Sequence, residues 1–263
     1  MVFVKENYPK VKLVRDITSE HTTAWMKSLT WTSGDSFDEY RSRLSKVQEL
    51  CEVTFGKCHH PGSWGTIDME KPADLGKIRT AVMTREDFFA IRDSIMKTGR
   101  SNAWIAMEIS SRVGIRVKGC HWLRGKDIDL QNWTVRVTKK GAKNGRARTI
   151  PIRPQDREFF RWLKERTPED RIFRMKNGKV LKEDSINSTI RRHMEKLGLD
   201  KKYEDTTLHA VRKMYAGERM AELRGPVPLK DTKAEMKAFD ILSAELGHGE
   251  NRLDLYKVYV LGE

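Results

Sequence analysis

Six side chains, met in the order Arg116, Lys140, His209, Arg212, His248 and Tyr259, place two guanidiniums, an ammonium, two imidazoles and a phenol in one chain. Guanidiniums bind the non-bridging oxygens of a phosphodiester, and an imidazole or an ammonium moves protons. A phenol activated beside them can attack phosphorus, so the set suits transfer of a DNA phosphodiester onto tyrosine. His209 and Arg212 lie three apart on a predicted helix and reach one surface patch. Taken singly, the pieces are weak: His-x-x-Arg also reads as a solvated helix face, and His248 in Leu246-Gly247-His248 as a histidine near a helix C-terminus. Their order is what carries the reading.

Charge points to the same partner. The chain has 263 residues and a formal net charge of +14, which implies a broad positive field that attracts polyanions, nucleic acid first among them. Residues 136–153 concentrate it, with seven Lys or Arg and no acid. The order of Gly and Lys around Lys140, Gly141, Lys143 and Gly145 is wrong for a nucleotide-phosphate loop, and a strand follows rather than a helix, so no nucleotide cofactor is expected. Lys140 and Lys143 are both candidates for chemistry on this loop. Cys51, Cys58, His59 and His60 do not match structural-zinc spacing, and three cysteines without secretory context read as free thiols. With no signal-like or membrane-length apolar run, a soluble, unexported protein of the cytoplasm, working at the nucleoid, is expected.

The elements that must position these groups fall into two regions. Residues 16–55 carry helical apolar spacing, Trp25, Met26 and Leu29 in one stretch and Leu44, Val47, Leu50 and Val53 in another, divided by a turn cluster at Ser33, Gly34, Asp35 and Ser36. Residues 56–78, with Pro61-Gly62, Gly65 and Pro72, read as a connection, and the domain boundary is placed at residue 75. Thr84 and Asp87 mark a helix start, and Phe88, Ile91 and Ile95 continue its apolar face; a second helix spans 102–113. Trp133, Val135 and Val137 alternate with polar residues, and 148–152 is a second extended run, so a hairpin carries the basic loop. Helices return from Gln155 onward, through 208–223, with a last pair around 241–246 and 253–260. The fold class is mainly α with a small antiparallel β-sheet.

In this order the six residues resemble the tyrosine recombinase family of phage and mobile-element integrases. The match covers residues 84–263, and the helical unit before it is similar in position and pattern to that family's core-binding domain. Residues 1–75 would then be a helical DNA-binding domain with its linker, and 76–263 a mixed α/β catalytic domain. The chain departs from the pattern at Gly119, where the family often has an acid, and at Lys213, where it often has His. Residues 224–234 look like an inserted loop, and Tyr259-Val260-Leu261-Gly262 resembles the Tyr-Leu-Gly tail of a bacterial integrase-like subgroup. Tyr256 and Tyr259 stand eight and eleven residues after His248; treating Glu250-Asn251 as an insertion puts Asp254 and Tyr259 on that subgroup's pattern and favours Tyr259.

The resemblance implies a 3′-phosphotyrosyl link formed by Tyr259, with Arg116 and Arg212 on the phosphate oxygens and His209 accepting the phenol proton. Lys140 would protonate the leaving 5′-oxygen, and His248 would donate to a phosphate oxygen. No metal or other cofactor is implied. The partners implied are double-stranded DNA clamped between the two domains, three further copies in a tetramer on paired sites, and accessory DNA-bending proteins in some members. Little room is left for an arm-site domain. A type IB topoisomerase and a non-catalytic DNA-binding relic are the alternatives.

Overall fold

Two units divide the chain, Met1–Ile78 and Arg79–Glu263, in a computed structural model. The structure describes residues 2–31, 34–60, 62–73, 81–99, 101–175, 177–203, 206–226, 232–249, 252, 255, 256, 258 and 259. The boundary expected at residue 75 lies outside them.

In the first unit α1 (Val2–Asn7) precedes α2 (Ser19–Lys27) and the long α3 (Gly34–Phe55). Thr18 caps α2, its backbone N–H donating to His21 Nδ1 at 3.0 Å. Gly34, Asp35 and Ser36, read as turn residues, open α3 instead. Met26 and Phe37 are buried, whereas Leu50 and Val53 are 67% and 87% exposed, so the apolar stripe of α3 is only partly covered. The connection is also more structured than its composition suggests. Trp64 is buried, donating from Nε1 to Ile17 O at 2.9 Å and from its backbone to Gln48 Oε1 at 2.7 Å. One large aromatic outweighs the Gly and Pro around it, because burying its ring area fixes the backbone on either side.

The second unit starts where the sequence indicates. Thr84 accepts from the Asp87 backbone N–H at 3.2 Å and caps α4 (Arg85–Met96), whose Phe88, Ile91 and Ile95 are fully buried. α5 (Ser101–Val113) is buried on nearly every side and packs against α4 and later helices, so it forms the middle of the core. After the short α6 (Val117–Trp122), a three-stranded antiparallel sheet runs β1 (Ile128–Asp129), β2 (Thr134–Val137), β3 (Arg148–Pro151). β1 was not legible: two residues are too few for a periodicity. Val135 pairs with Ile150 and Val137 with Arg148, which places Val135, Val137 and Ile150 on the buried face. α7 (Arg157–Arg166), α8 (Glu183–Lys196), α9 (Leu208–Arg224) and α10 (Thr232–Leu246) complete the unit. α10 is longer than its apolar spacing suggested and takes up Thr232, Lys233 and Ala234 of the expected insertion. α9 and α10 pack through Tyr215, Ala216 and Met220 against Phe239, Leu242 and Leu246, with Tyr259 in the same cluster.

Candidate active site

Gly114 ends α5 with φ +59°, and a Cβ there would fall 2.5 Å from the Tyr215 ring. Only glycine tolerates both the backbone and the approach. The turn delivers Arg116 as the residue capping α6, opposite the first turn of α9, which carries His209 and Arg212. At the end of α10, Gly247 turns with φ +78° and presents His248.

These three chain breaks converge. Arg212 is fully buried; it donates to Gly114 O and, at 2.7 Å, to Leu246 O. Arg116 donates to the same Leu246 carbonyl at 3.3 Å. Both guanidiniums reach His248 Nε2, Arg116 at 3.0 Å and Arg212 at 3.2 Å, and Tyr259 Oη stands 3.2 Å from that nitrogen. The Tyr259 phenol is 5% exposed, 5.6 Å beneath the Arg212 guanidinium, with the His209 ring edge-on at 6.0 Å. Beside them a cleft of about 370 Å³ is lined by Arg116, Asn187, Arg191, Thr207, His209 and Arg212.

The electrostatics are those of an anion seat. Among the described residues neither Arg116 nor Arg212 has an ion pair, and Arg212 Nε has no hydrogen-bond partner. Burial and the nearby Arg116 charge disfavour the Arg212 cation, which a bound anion would relieve. Burial, then the Arg212 and Arg116 charges, push His248 down to about 3, so the imidazole is neutral near pH 7 and accepts at Nε2. Burial alone would raise the Tyr259 phenol, but the Arg212 and Arg116 charges outweigh it and hold it below its ordinary value.

Tyr256 lies elsewhere. Its hydroxyl donates to Glu235 on α10 and its ring packs on Phe239 at 5.1 Å, an arrangement that raises it to about 12 by burial and the neighbouring carboxylate. The hairpin lysines are also apart from the cluster. Lys140 Nζ rests 5.4 Å over the Trp122 ring, which Arg171 shares at 3.9 Å, and Lys143 is exposed on the next turn.

Two arginines escaped the sequence reading. Arg148 opens β3 and donates from Nε to Glu245 O at 2.7 Å, and Arg146 donates to His248 O at 3.0 Å. Both were visible only as members of a basic run, because their partners lie about a hundred residues away. Lys213, noted as a departure, is buried, and desolvation lowers it. Among the described residues no group of three His, Cys, Asp or Glu is placed to hold a metal, and His59 Nδ1 pairs with Asp16 Oδ1 at 2.7 Å. No described helix is long and apolar enough to cross a membrane.

Helices around a small antiparallel sheet, with paired arginines, two imidazoles and a phenol at the seam of α9 and α10, define the class. The family model for phage integrases matches residues 81–228, more than half of the chain, and the chain belongs to that family of tyrosine recombinases. The match holds Arg116, Lys140, His209 and Arg212; His248 and Tyr259 follow it. Among solved structures, a lambda integrase dimer bound to a COC' core site is 17% identical with a TM-score of 0.58, covering 91% of this chain and 64% of that one. The Tn1549 transposon integrase in complex with transposon right end DNA is 14% identical with a TM-score of 0.64, covering 96% and 84%. The XerH site-specific recombinase bound to a palindromic difH substrate is 17% identical with a TM-score of 0.60, covering 97% and 72%. At these identities the likeness is one of fold, and the chain spans under two thirds of the lambda integrase chain. No curated protein matches the sequence.

Proposed function

We propose that the protein is a site-specific DNA recombinase that cuts and rejoins strands through Tyr259. The observation that carries this reading is the fully buried Arg212, without a carboxylate partner among the described residues, aimed with Arg116 at the imidazole that touches the Tyr259 hydroxyl. A buried, unpaired guanidinium is costly unless an anion is its purpose.

In the first step a phosphodiester enters between Arg116 and Arg212, which turn from His248 to its non-bridging oxygens. The Tyr259 oxygen bonds to phosphorus, the bond to the 5′-oxygen breaks, and a 3′-phosphotyrosyl link and a free 5′-hydroxyl result. His209 takes the phenol proton. His248, so poor a base beside two guanidiniums, serves as hydrogen-bond partner to a phosphate oxygen once the anion offsets their charge. Lys140 leaves Trp122 and protonates the departing 5′-oxygen, with Lys143 the alternative. A 5′-hydroxyl from another strand then reverses the step. The bond energy stays in the phosphotyrosyl link, so the cycle consumes no nucleotide.

Residues 1–75 serve as the core-binding domain and 76–263 as the catalytic domain, four copies acting on paired duplexes at the nucleoid. The net charge of +14 supports DNA affinity that falls steeply with salt.

Trapping on a nicked suicide duplex tests the reading. Covalent complex is expected from the parent chain and from Tyr256→Phe, and none from Tyr259→Phe. Loss only in Tyr256→Phe overturns the nucleophile. Absence of adduct with every duplex tried favours a DNA-binding relic, and plasmid relaxation without strand exchange favours a topoisomerase.

A further inference from the structure

The residue before the Leu246-Gly247-His248 turn is a buried acid, in a protein with fourteen excess positive charges. Glu245 is 5% exposed in the last turn of α10. Its Oε2 accepts from Tyr215 Oη at 2.8 Å and from Arg219 Nε at 3.1 Å, and its Oε1 accepts from Arg219 Nη2 at 2.8 Å. Tyr215 and Arg219 lie one and two turns beyond Arg212 on α9. A two-pronged arginine contact fixes direction as well as distance, which a single ammonium contact does not. From the other side, the Glu245 carbonyl accepts from Arg148 Nε, and the Arg148 guanidinium fills the space that a Cβ on Gly247 would need, 2.6 Å from Nη1.

Residue 245 is therefore tied to α9 by its side chain and to β3 by its backbone. The next carbonyl, Leu246 O, is the acceptor shared by Arg116 and Arg212. Two residues on stands His248, its backbone N–H bonded to Ser243 O at 2.9 Å and its carbonyl to Arg146.

We propose that Glu245 is a positioning residue of the active site: clamped by Tyr215 and Arg219, it sets the Leu246 carbonyl and His248, and through them the two guanidiniums that face Tyr259. The proposal rests on the reading of that cluster as the strand-transfer centre. The charged and titratable groups facing Glu245 are Tyr215 and Arg219 from α9 and Arg148 from β3. Those facing Tyr259 are Arg212, His209 and Lys213 from α9, Arg116, Arg148 and His248.

The test uses the full chain and two readouts. The first is ultraviolet titration of Tyr259, each protein measured against the same protein carrying Tyr259→Phe. Glu245→Ala should raise the phenol midpoint by about one pH unit, because the loosened guanidiniums no longer hold it down. The second is the single-turnover rate of covalent complex at saturating suicide duplex, which should fall about 100-fold with DNA affinity unchanged. Glu245→Gln, which still accepts from Tyr215, should recover much of both, and Glu222→Ala, which removes another partner of Arg219, should change neither. If Glu245→Ala does not fold, Arg219→Lys takes its place and should shift the midpoint in the same direction. A folded variant with an unmoved midpoint and an unchanged rate overturns the proposal. A shifted midpoint in a protein whose parent forms no adduct with DNA upholds the positioning and removes the strand-transfer reading instead.

Discussion

The arginine cluster and the basic hairpin are both cationic and both belong to the second unit, yet they are built in opposite ways. Arg212 and Arg116 are held by Gly114 O and Leu246 O, backbone acceptors whose positions the packing of α5, α9 and α10 determines. Lys140 and Lys143 stand at the end of two short strands, one against an aromatic ring and the other in solvent. The first arrangement has its donors aimed before any substrate arrives, which is where electrostatic stabilisation of a transition state gains most. The second must move to act. On the proposed mechanism, the charge-stabilising half of the site is assembled in the free chain, and the proton-donating half would await DNA.

The largest expected effect comes from breaking the assembled half. Arg212→Lys keeps the charge but cannot span Gly114 O and Leu246 O with one ammonium. Covalent complex formation should fall about 1000-fold, and a loss below tenfold would show that rigidity at this position matters little. On the hairpin half, Lys140→Ala should cost about 100-fold on ordinary DNA. Replacing the bridging 5′-oxygen by sulfur should restore most of that rate, since a thiolate leaves without a proton. Rescue of Lys143→Ala in place of Lys140→Ala would move the role along the loop.

A third effect concerns stability. His248 lies at about 3 in the folded chain against 6.5 for a free imidazole, so the folded state resists its protonation. Its contribution to stability is complete above pH 6.5 and is lost as pH falls toward 3. The stability gap between the parent and His248→Gln, read from urea melts, should narrow over that window. A constant gap would mean that neither burial nor the guanidinium charges hold the ring neutral.

The same contrast explains what the sequence discloses. Thr84 with Asp87, the 102–113 helix, the alternation at Trp133, Val135 and Val137, and His209 with Arg212 are local patterns, and local geometry satisfies them. Arg148 on Glu245, Arg146 on His248 and Trp64 on Ile17 join residues about 50 to 100 apart, for which no periodicity exists. Tyr256 and Tyr259 are the sharpest case. Three residues apart, they were ranked by an inferred insertion, and Asp254, on which that ranking leaned, lies outside the described residues. What separates them physically is Glu235, which takes the Tyr256 hydroxyl, and His248, which meets that of Tyr259.

The most direct test of the central claim is to locate the DNA on the protein. Trypsin, cutting after Arg252 and Lys257, puts Tyr256 and Tyr259 on different peptides, Leu253 to Lys257 and Val258 to Glu263. Mass spectrometry of the trapped adduct should find the nucleotide remnant on the second peptide, at Tyr259. A remnant on the first, at Tyr256, would contradict the account.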